Sequence, residues 1–420
     1  MVPNGDVPEE KLNQMVTHVL TSMYFAGHLD GRFPADGNLF SPATSEAHDT
    51  VARDTIIDGA ILLKNDGALP LSAAVKKIAL IGKYCDQVDD KRFLQGSVYS
   101  GGGSGFVDTT RTVTPLKAIQ AHFEKSEVEI VFGAEGGAAE GADIAVICAA
   151  AHAEEGWDRA NLTLPEASRL SHEVRATSGG EAIKVVMLAF APGAITVEWM
   201  SEVDAALLLF EPGEQVGPAV TMLLTGEASP GGRLPVSIPE PGENRFRQGE
   251  YPGVCENNTW CENMTATFSE GTLVGYRWNQ AKQVPSRFPF GFGLTYTDFA
   301  FSNLEASCSS HGVAEVVLRI ANIGDRDGLA VPQLYVGFES LKPVLRQLRG
   351  FQKVKVPAGG ETGVVFVLGE EDWSYFDEAS DRWISAVSKG EQIKVWVGSS
   401  SIHLPLSANL PCTGSDVVLA

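Results

Sequence analysis

Residues 144–149 read Ile-Ala-Val-Ile-Cys-Ala, an unbroken apolar run between Asp143 and the polar loop 151–159. Its length suits a strand and is too short for a core helix. A strand without a polar side is buried on both faces, as in a parallel sheet covered by helices. Similar runs recur outward from it at Ile78–Ile81, Val128–Val131, Lys184–Ala189 and Ala205–Phe210, separated by helical or glycine-rich segments. The alternation from Lys77 to about Pro239 predicts a mostly parallel α/β/α sandwich. In such a sheet the functional residues sit on loops beyond the strand C-termini.

Towards the N-terminus, Leu12, Met15, Val16, Val19, Leu20 and Met23 recur at helical spacing. They predict an amphipathic helix over 8–26, opened by Pro8, Glu9 and Glu10 and stopped by Gly27. His28–Pro42 reads as a linker, a second helix is expected at Glu46–Gly59, and the short apolar run Ala60–Leu63 follows. Towards the C-terminus, 240–298 is rich in Pro, Gly, Asn and aromatics without a period, which predicts a long irregular connection. From Phe299 onward alternating runs take over: Glu315–Ile320, Gln333–Val336, Thr362–Leu368 and Gln392–Val397. They predict an all-β immunoglobulin-like sandwich. The expected organisation is 1–48, 49–298, 299–412 and a tail, 413–420.

The 420 residues carry 32 Lys+Arg against 53 Asp+Glu, a net charge of −21. That surface repels phosphate backbones, which argues against a nucleic-acid partner. No apolar run reaches the ~20 residues of a membrane span, so no membrane partner is expected either. Cys255 and Cys261 flank a short segment and suit a loop bridge, and Cys308 and Cys412 could staple the ends of the β domain. Cys85 and Cys148, at the ends of apolar runs, read as buried free thiols. No cysteine or histidine cluster points to a metal. Sequons stand at Asn161, Asn257 and Asn263; two lie in or beside the Cys255–Cys261 loop, which favours a secretory route. Residues 1–30 lack a signal peptide, so the chain is expected to begin downstream of its natural start.

The loop after the central run reads Ala-His-Ala-Glu-Glu-Gly-Trp-Asp-Arg over 151–159. Glu154 and Glu155 beside Trp157 make a general-acid candidate, because an indole face can desolvate a carboxyl and raise its pKa. Asp158 and Arg159 can brace the loop. A solvated acidic turn is the competing reading. His152 reads as a loop histidine, and Lys64 as a turn lysine rather than a nucleophile. The run 101–105, which includes Ser104 and Gly105, lacks the Lys-Ser/Thr of a P-loop and reads as a flexible loop lining a pocket.

Several segments occur in a telling order: Ile61-Leu-Leu-Lys-Asn-Asp-Gly-Ala-Leu-Pro-Leu71, Gly102-Gly-Ser-Gly-Phe106 and Glu155-Gly-Trp-Asp-Arg159 with Asn161-Leu-Thr-Leu164. Then come Glu211-Pro-Gly-Glu-Gln215, Pro230-Gly-Gly-Arg-Leu-Pro235, Phe288-Pro-Phe-Gly-Phe-Gly-Leu-Thr-Tyr296 and Leu348-Arg-Gly-Phe351. Together they resemble the C-terminal half of glycoside hydrolase family 3, the β-glucosidase family. The resemblance implies an (α/β)8 barrel, then an α/β sandwich, then a fibronectin III-like domain. It also implies retaining hydrolysis, in which a barrel Asp attacks the sugar and a sandwich Glu protonates the leaving oxygen. Glu155 matches that acid/base because it directly precedes Gly-x-Asp-Arg; Glu154 is the second choice. The family's Ser-Asp-Trp segment does not occur, so the nucleophile is expected outside this chain, and helix 8–26 resembles the barrel's last helix. The implied substrate is a β-linked oligosaccharide or glucoside, with no cofactor, in a secreted protein, and the chain alone is expected to be inactive. A β-xylosidase is the nearest enzyme alternative; a non-catalytic carbohydrate-binding module is the alternative of another class.

Overall fold

Six apolar runs form one sheet: β1 (Ile61–Asn65), β2 (Lys77–Ile81), β3 (Glu129–Gly133), β4 (Ile144–Ala150), β5 (Lys184–Phe190) and β6 (Ala205–Leu209). Their order is β1-β6-β5-β4-β2-β3. All pairs are parallel except β1 with β6. The computed structural model describes residues 5, 7–31, 43–87, 97–107, 109–157, 159–240, 254–255, 264–309 and 312–412. The chain divides into two compact units, Met1–His48 and Asp49–Ala420. The first holds α1 (Glu9–Phe25), which begins directly after Pro8 and has Met15, Val16 and Val19 exposed. No helix among the described residues is long and apolar enough to cross a membrane.

The sheet is apolar on both faces because both are covered. Ile78, Leu80, Val146, Val186 and Leu188 point to one side, against Ile56 and Ile57 of α2 (Glu46–Gly59), Leu116 and Ile119 of α3 (Pro115–Phe123), and Val220 and Leu224 of α5 (Val216–Thr225). Ala79, Ile81, Ile147 and Met187 point to the other, against Ala167, Leu170 and Val174 of α4 (Pro165–Arg175) and Trp199. Local sequence sets the helix ends. Thr114 caps α3 by accepting from the Lys117 N–H, with Pro115 in the first turn, and Gly226, in the left-handed conformation, stops α5. Lys64 lies on β1 rather than in a turn, and its Nζ donates to the carbonyls of Met200 and Val203 at 3.2 and 2.7 Å.

The cysteine reading is corrected at one place. Cys85 and Cys148 are bridged, with Cα atoms 5.2 Å apart and both residues fully buried. Two run ends distant in sequence become neighbours because β2 and β4 pair side by side, Ile81 opposite Ile147. Gly82 makes the close approach possible. Its φ is 97°, and a Cβ there would stand 2.7 Å from the Cys148 carbonyl oxygen.

Within 240–298, the described residues include a two-residue ladder, β7 (Val254–Cys255) with β8 (Met264–Thr265), and a short helix, α6 (Tyr276–Lys282). The β domain follows as β9 (Phe299–Cys308), β10 (Ala314–Asn322), β11 (Gly328–Ala330), β12 (Gln333–Gly337), β13 (Gln347–Phe351), β14 (Val354–Val356), β15 (Glu361–Leu368), β16 (Ser374–Asp377), β17 (Arg382–Ser385), β18 (Lys394–Gly398) and β19 (Leu406–Asn409). Its two main sheets run β15-β10-β9 and β13-β12-β18-β19. Along β10, Ala314, Val316, Leu318 and Ile320 are buried while Glu315 and Arg319 face out, the period of a half-buried strand. Cys308 and Cys412 are bridged, Cα atoms 5.2 Å apart, and join the first strand to the end of the domain as expected. The expected Cys255–Cys261 bridge lies outside what is described, because Cys261 does.

Candidate active site

The strand order creates a crevice. From β2 the chain passes to β3 on one side, then returns to β4 on the other. The loops after β2 and β4 therefore leave the C-terminal ends of adjacent strands at a topological switch point, the usual place for a ligand in an open α/β sheet. The first loop carries residues 97–107 and the second residues 151–164. Tyr99 anchors the first: it is buried, its hydroxyl donates to the Tyr84 carbonyl, and its ring meets Phe190 edge-on at 5.1 Å.

The second loop is a tight reversal. The Trp157 N–H donates to the Glu154 carbonyl at 3.0 Å, and Gly156 sits at the third turn position with φ 80°. That conformation favours glycine and leaves Glu155 at the apex. Glu155 is exposed, and its Oε2 accepts the Ser104 N–H at 2.8 Å. A Cβ on Gly103, whose φ is 81°, would lie 2.5 Å from the Glu155 Cβ, so the glycine run fits closely under the acidic turn. The Ser104 hydroxyl, followed by its backbone N–H, holds the Glu155 carboxyl below the usual carboxylate range. The expected desolvation by Trp157 is not what this site has: the indole is 73% exposed and Glu155 is solvated.

The sign of that shift fixes a pH dependence. A depressed carboxyl pKa stabilises the fold above the unfolded-state pKa, and the contribution is lost as pH falls through the lower folded value. Gly103→Ala should push the loop off Glu155, break the Ser104 contact and return the carboxyl towards its ordinary pKa. Side-chain carboxyl NMR titration checks this, and an unchanged Glu155 titration would refute the link.

Glu154 differs from its neighbour. Its side chain is 17% exposed, and its Oε2 lies 3.7 Å from His152 Nε2, within the loop's own base. Arg159 reaches the loop after β5, where its Nη2 donates to the Ala194 carbonyl at 2.9 Å, and burial pushes its pKa down. Asp158 lies outside the described residues, as do Asn257 and Asn263. Asn161 is exposed, and its Oδ1 accepts from the N–H and hydroxyl of Thr163. Gly105 faces open space.

One acidic residue at the switch point, Glu211, opens the segment Glu211–Gln215 quoted above but is not among the site residues expected from the sequence. Glu211 follows β6 with φ 40°, a left-handed conformation costing about 1–3 kcal/mol in a residue other than glycine. A Cβ on Gly101 would stand 2.7 Å from its Oε1, so Glu211 borders the glycine run as Glu155 does further along. Its signal in the sequence was its place directly after the run Ala205–Phe210, the same rule that singled out 151–159.

Residues 60–296 match the glycosyl hydrolase family 3 C-terminal domain, and residues 330–401 the fibronectin type III-like domain. The chain belongs to glycosyl hydrolase family 3. It is 30% identical to a probable beta-glucosidase L of Aspergillus terreus, over 97% of this chain and 60% of that protein. It is 29% identical to the probable beta-glucosidase L of Aspergillus fumigatus, over 95% of this chain and 58% of the relative. Among solved structures, a beta-glucosidase of Chaetomella raphigera superposes with a TM-score of 0.83 at 28% identity, covering 98% of this chain and 62% of that one. The chain thus spans about three-fifths of the length of these family 3 relatives.

Proposed function

We propose that this chain is the acid/base-bearing part of a retaining, β-glucosidase-type exo-glycosidase, with Glu155 as proton donor and then base. The observation that carries this is the position of Glu155: an exposed carboxylate at the apex of a reversal, over the crevice at the strand switch point, with one oxygen held by Ser104. The carboxylate is exposed, so a glycosidic oxygen or a water can approach it. Glu154 is turned to His152 and suits a structural role in the loop. Family 3 membership and the relatives' names support terminal β-D-glucosyl residues as the substrate class. The bridges Cys85–Cys148 and Cys308–Cys412 suit an oxidising, secretory destination.

Retaining hydrolysis needs the carboxyl protonated for the first step and ionised for the second. The Ser104 contacts favour the ionised form. The protonated form needs desolvation, which a bound sugar and a covering nucleophile-bearing surface would supply. The 420 residues contain no Ser-Asp-Trp segment, and the purified chain is expected to turn over nitrophenyl β-D-glucoside at background. Turnover well above background, abolished by Glu155→Gln, would show a nucleophile within the chain. Joined to a family barrel, the chain should favour β-glucoside over β-xyloside, and the opposite preference would overturn the sugar assignment.

A further inference from the structure

Where the α/β sandwich meets the β domain, a cavity of about 360 Å³ is lined by Arg233, Lys353, Asp58, Val331, Leu348 and Phe351, among others. Arg233 is its unusual member. The Nη1 donates to the Gly232 carbonyl at 2.8 Å, the Nη2 reaches the Leu329 carbonyl only at 3.4 Å, and the Nε is sealed from solvent with no acceptor among the described residues. No carboxylate among the described residues pairs with its guanidinium. The side chain is held in place from below, since a Cβ on Gly293 would lie 3.0 Å from its Cδ.

A second cation shares the cavity. Lys353 Nζ donates to the Asp58 carbonyl at 2.8 Å and lies 3.6 Å from Asp58 Oδ2. Burial pushes Arg233 down to about 10, and burial and then the Arg233 charge push Lys353 down against the pull of Asp58. Asp58, half exposed, balances the outer cation Lys353 and leaves the buried Arg233 guanidinium as one net positive charge at the inner end of the cavity. Leaving a buried charge unpaired is costly, and backbone carbonyls meet only part of this guanidinium. A structural clamp on Gly232 and Leu329 would account for Nη1 and Nη2, but not for the unpaired charge.

We propose that this cavity binds a small monocarboxylate carried on an apolar body. The planar guanidinium fork suits a carboxylate, and Val331, Leu348 and Phe351 offer apolar walls for the rest of the ligand. One net positive charge matches a monoanion better than a phosphate dianion. The volume lies at the low end of small-molecule sites, which limits the ligand to about the size of an aromatic acid.

Benzoate is the probe, titrated into the 420-residue chain and followed by saturation-transfer NMR and thermal unfolding. Benzoate should bind and raise Tm, inorganic phosphate should bind at least about tenfold more weakly, and neutral benzyl alcohol should not bind. Arg233→Met should weaken benzoate at least about tenfold, as loss of a charge-assisted contact requires. If that variant does not fold, Lys353→Met, nearer the surface, should weaken benzoate severalfold in a folded protein. Absence of benzoate binding, equal affinity for benzyl alcohol or phosphate, or unchanged affinity in the folded variants would each overturn the proposal.

Discussion

Joined to a barrel that supplies the nucleophile, the Glu155→Ala protein should lose about 10²–10⁴-fold in kcat/KM towards alkyl β-glucosides, the range typical of general acid catalysis. Dinitrophenyl β-glucoside should lose far less in that parameter, because its leaving group departs without a proton. For the same substrate kcat should fall, because the second step has lost its base, and azide should partly restore it by attacking the glycosyl intermediate directly. Glu154→Ala should show neither the leaving-group dependence nor the rescue. These contrasts separate a proton donor from a residue that merely holds the loop, since loop damage would slow all substrates together. If Glu154→Ala gives the leaving-group dependence and Glu155→Ala does not, the assignment is off by one position.

The geometry explains why adjacent carboxylates should behave so differently. Glu154 is tied into the reversal through its carbonyl, which accepts from Trp157, and its side chain folds back towards His152. Glu155 projects from the apex, packs over Gly103 of the opposite loop and bonds it through Ser104. The sequence carried most of this. A run such as Ile144–Ala149 announces a strand buried on both faces, and the placement of 151–159 after it follows from sheet topology. The direction of the Glu155 pKa shift was not legible, because it depends on a donor 51 residues away that only folding brings across. Neither was the pairing of Cys85 with Cys148, because apolar runs do not reveal their order in a sheet. Trp157 was misread for a related reason: proximity in sequence to a carboxyl says nothing about which way an indole points. Glu211 was legible by position but carries no chemical partner in its own segment.

Replacing both Cys85 and Cys148 by alanine should cost up to about 4 kcal/mol, since the bridge spans 63 residues and constrains the unfolded chain accordingly. Against typical stabilities of about 5–15 kcal/mol that is a large fraction, and the denaturation midpoint should fall visibly. Losing buried sulfur volume beside Ile81 and Ile147 adds to the effect rather than offsetting it. The site should feel the change as well. The bridge fastens the start of the loop after β2 to β4, and that loop later presents Ser104 to Glu155. Freed at its root, the loop should hold Ser104 less well, and the Glu155 carboxyl should titrate closer to its ordinary value. Tyr99 and the Gly213 N–H bond to its carbonyl, 2.6 Å, provide an independent anchor further along. A variant that loses stability but keeps the depressed Glu155 titration would therefore show that Tyr99, not the cystine, sets the loop. A stability loss under about 1 kcal/mol would instead mean that the two cysteines are not bridged in the native protein, or that the unfolded chain stays compact without the link.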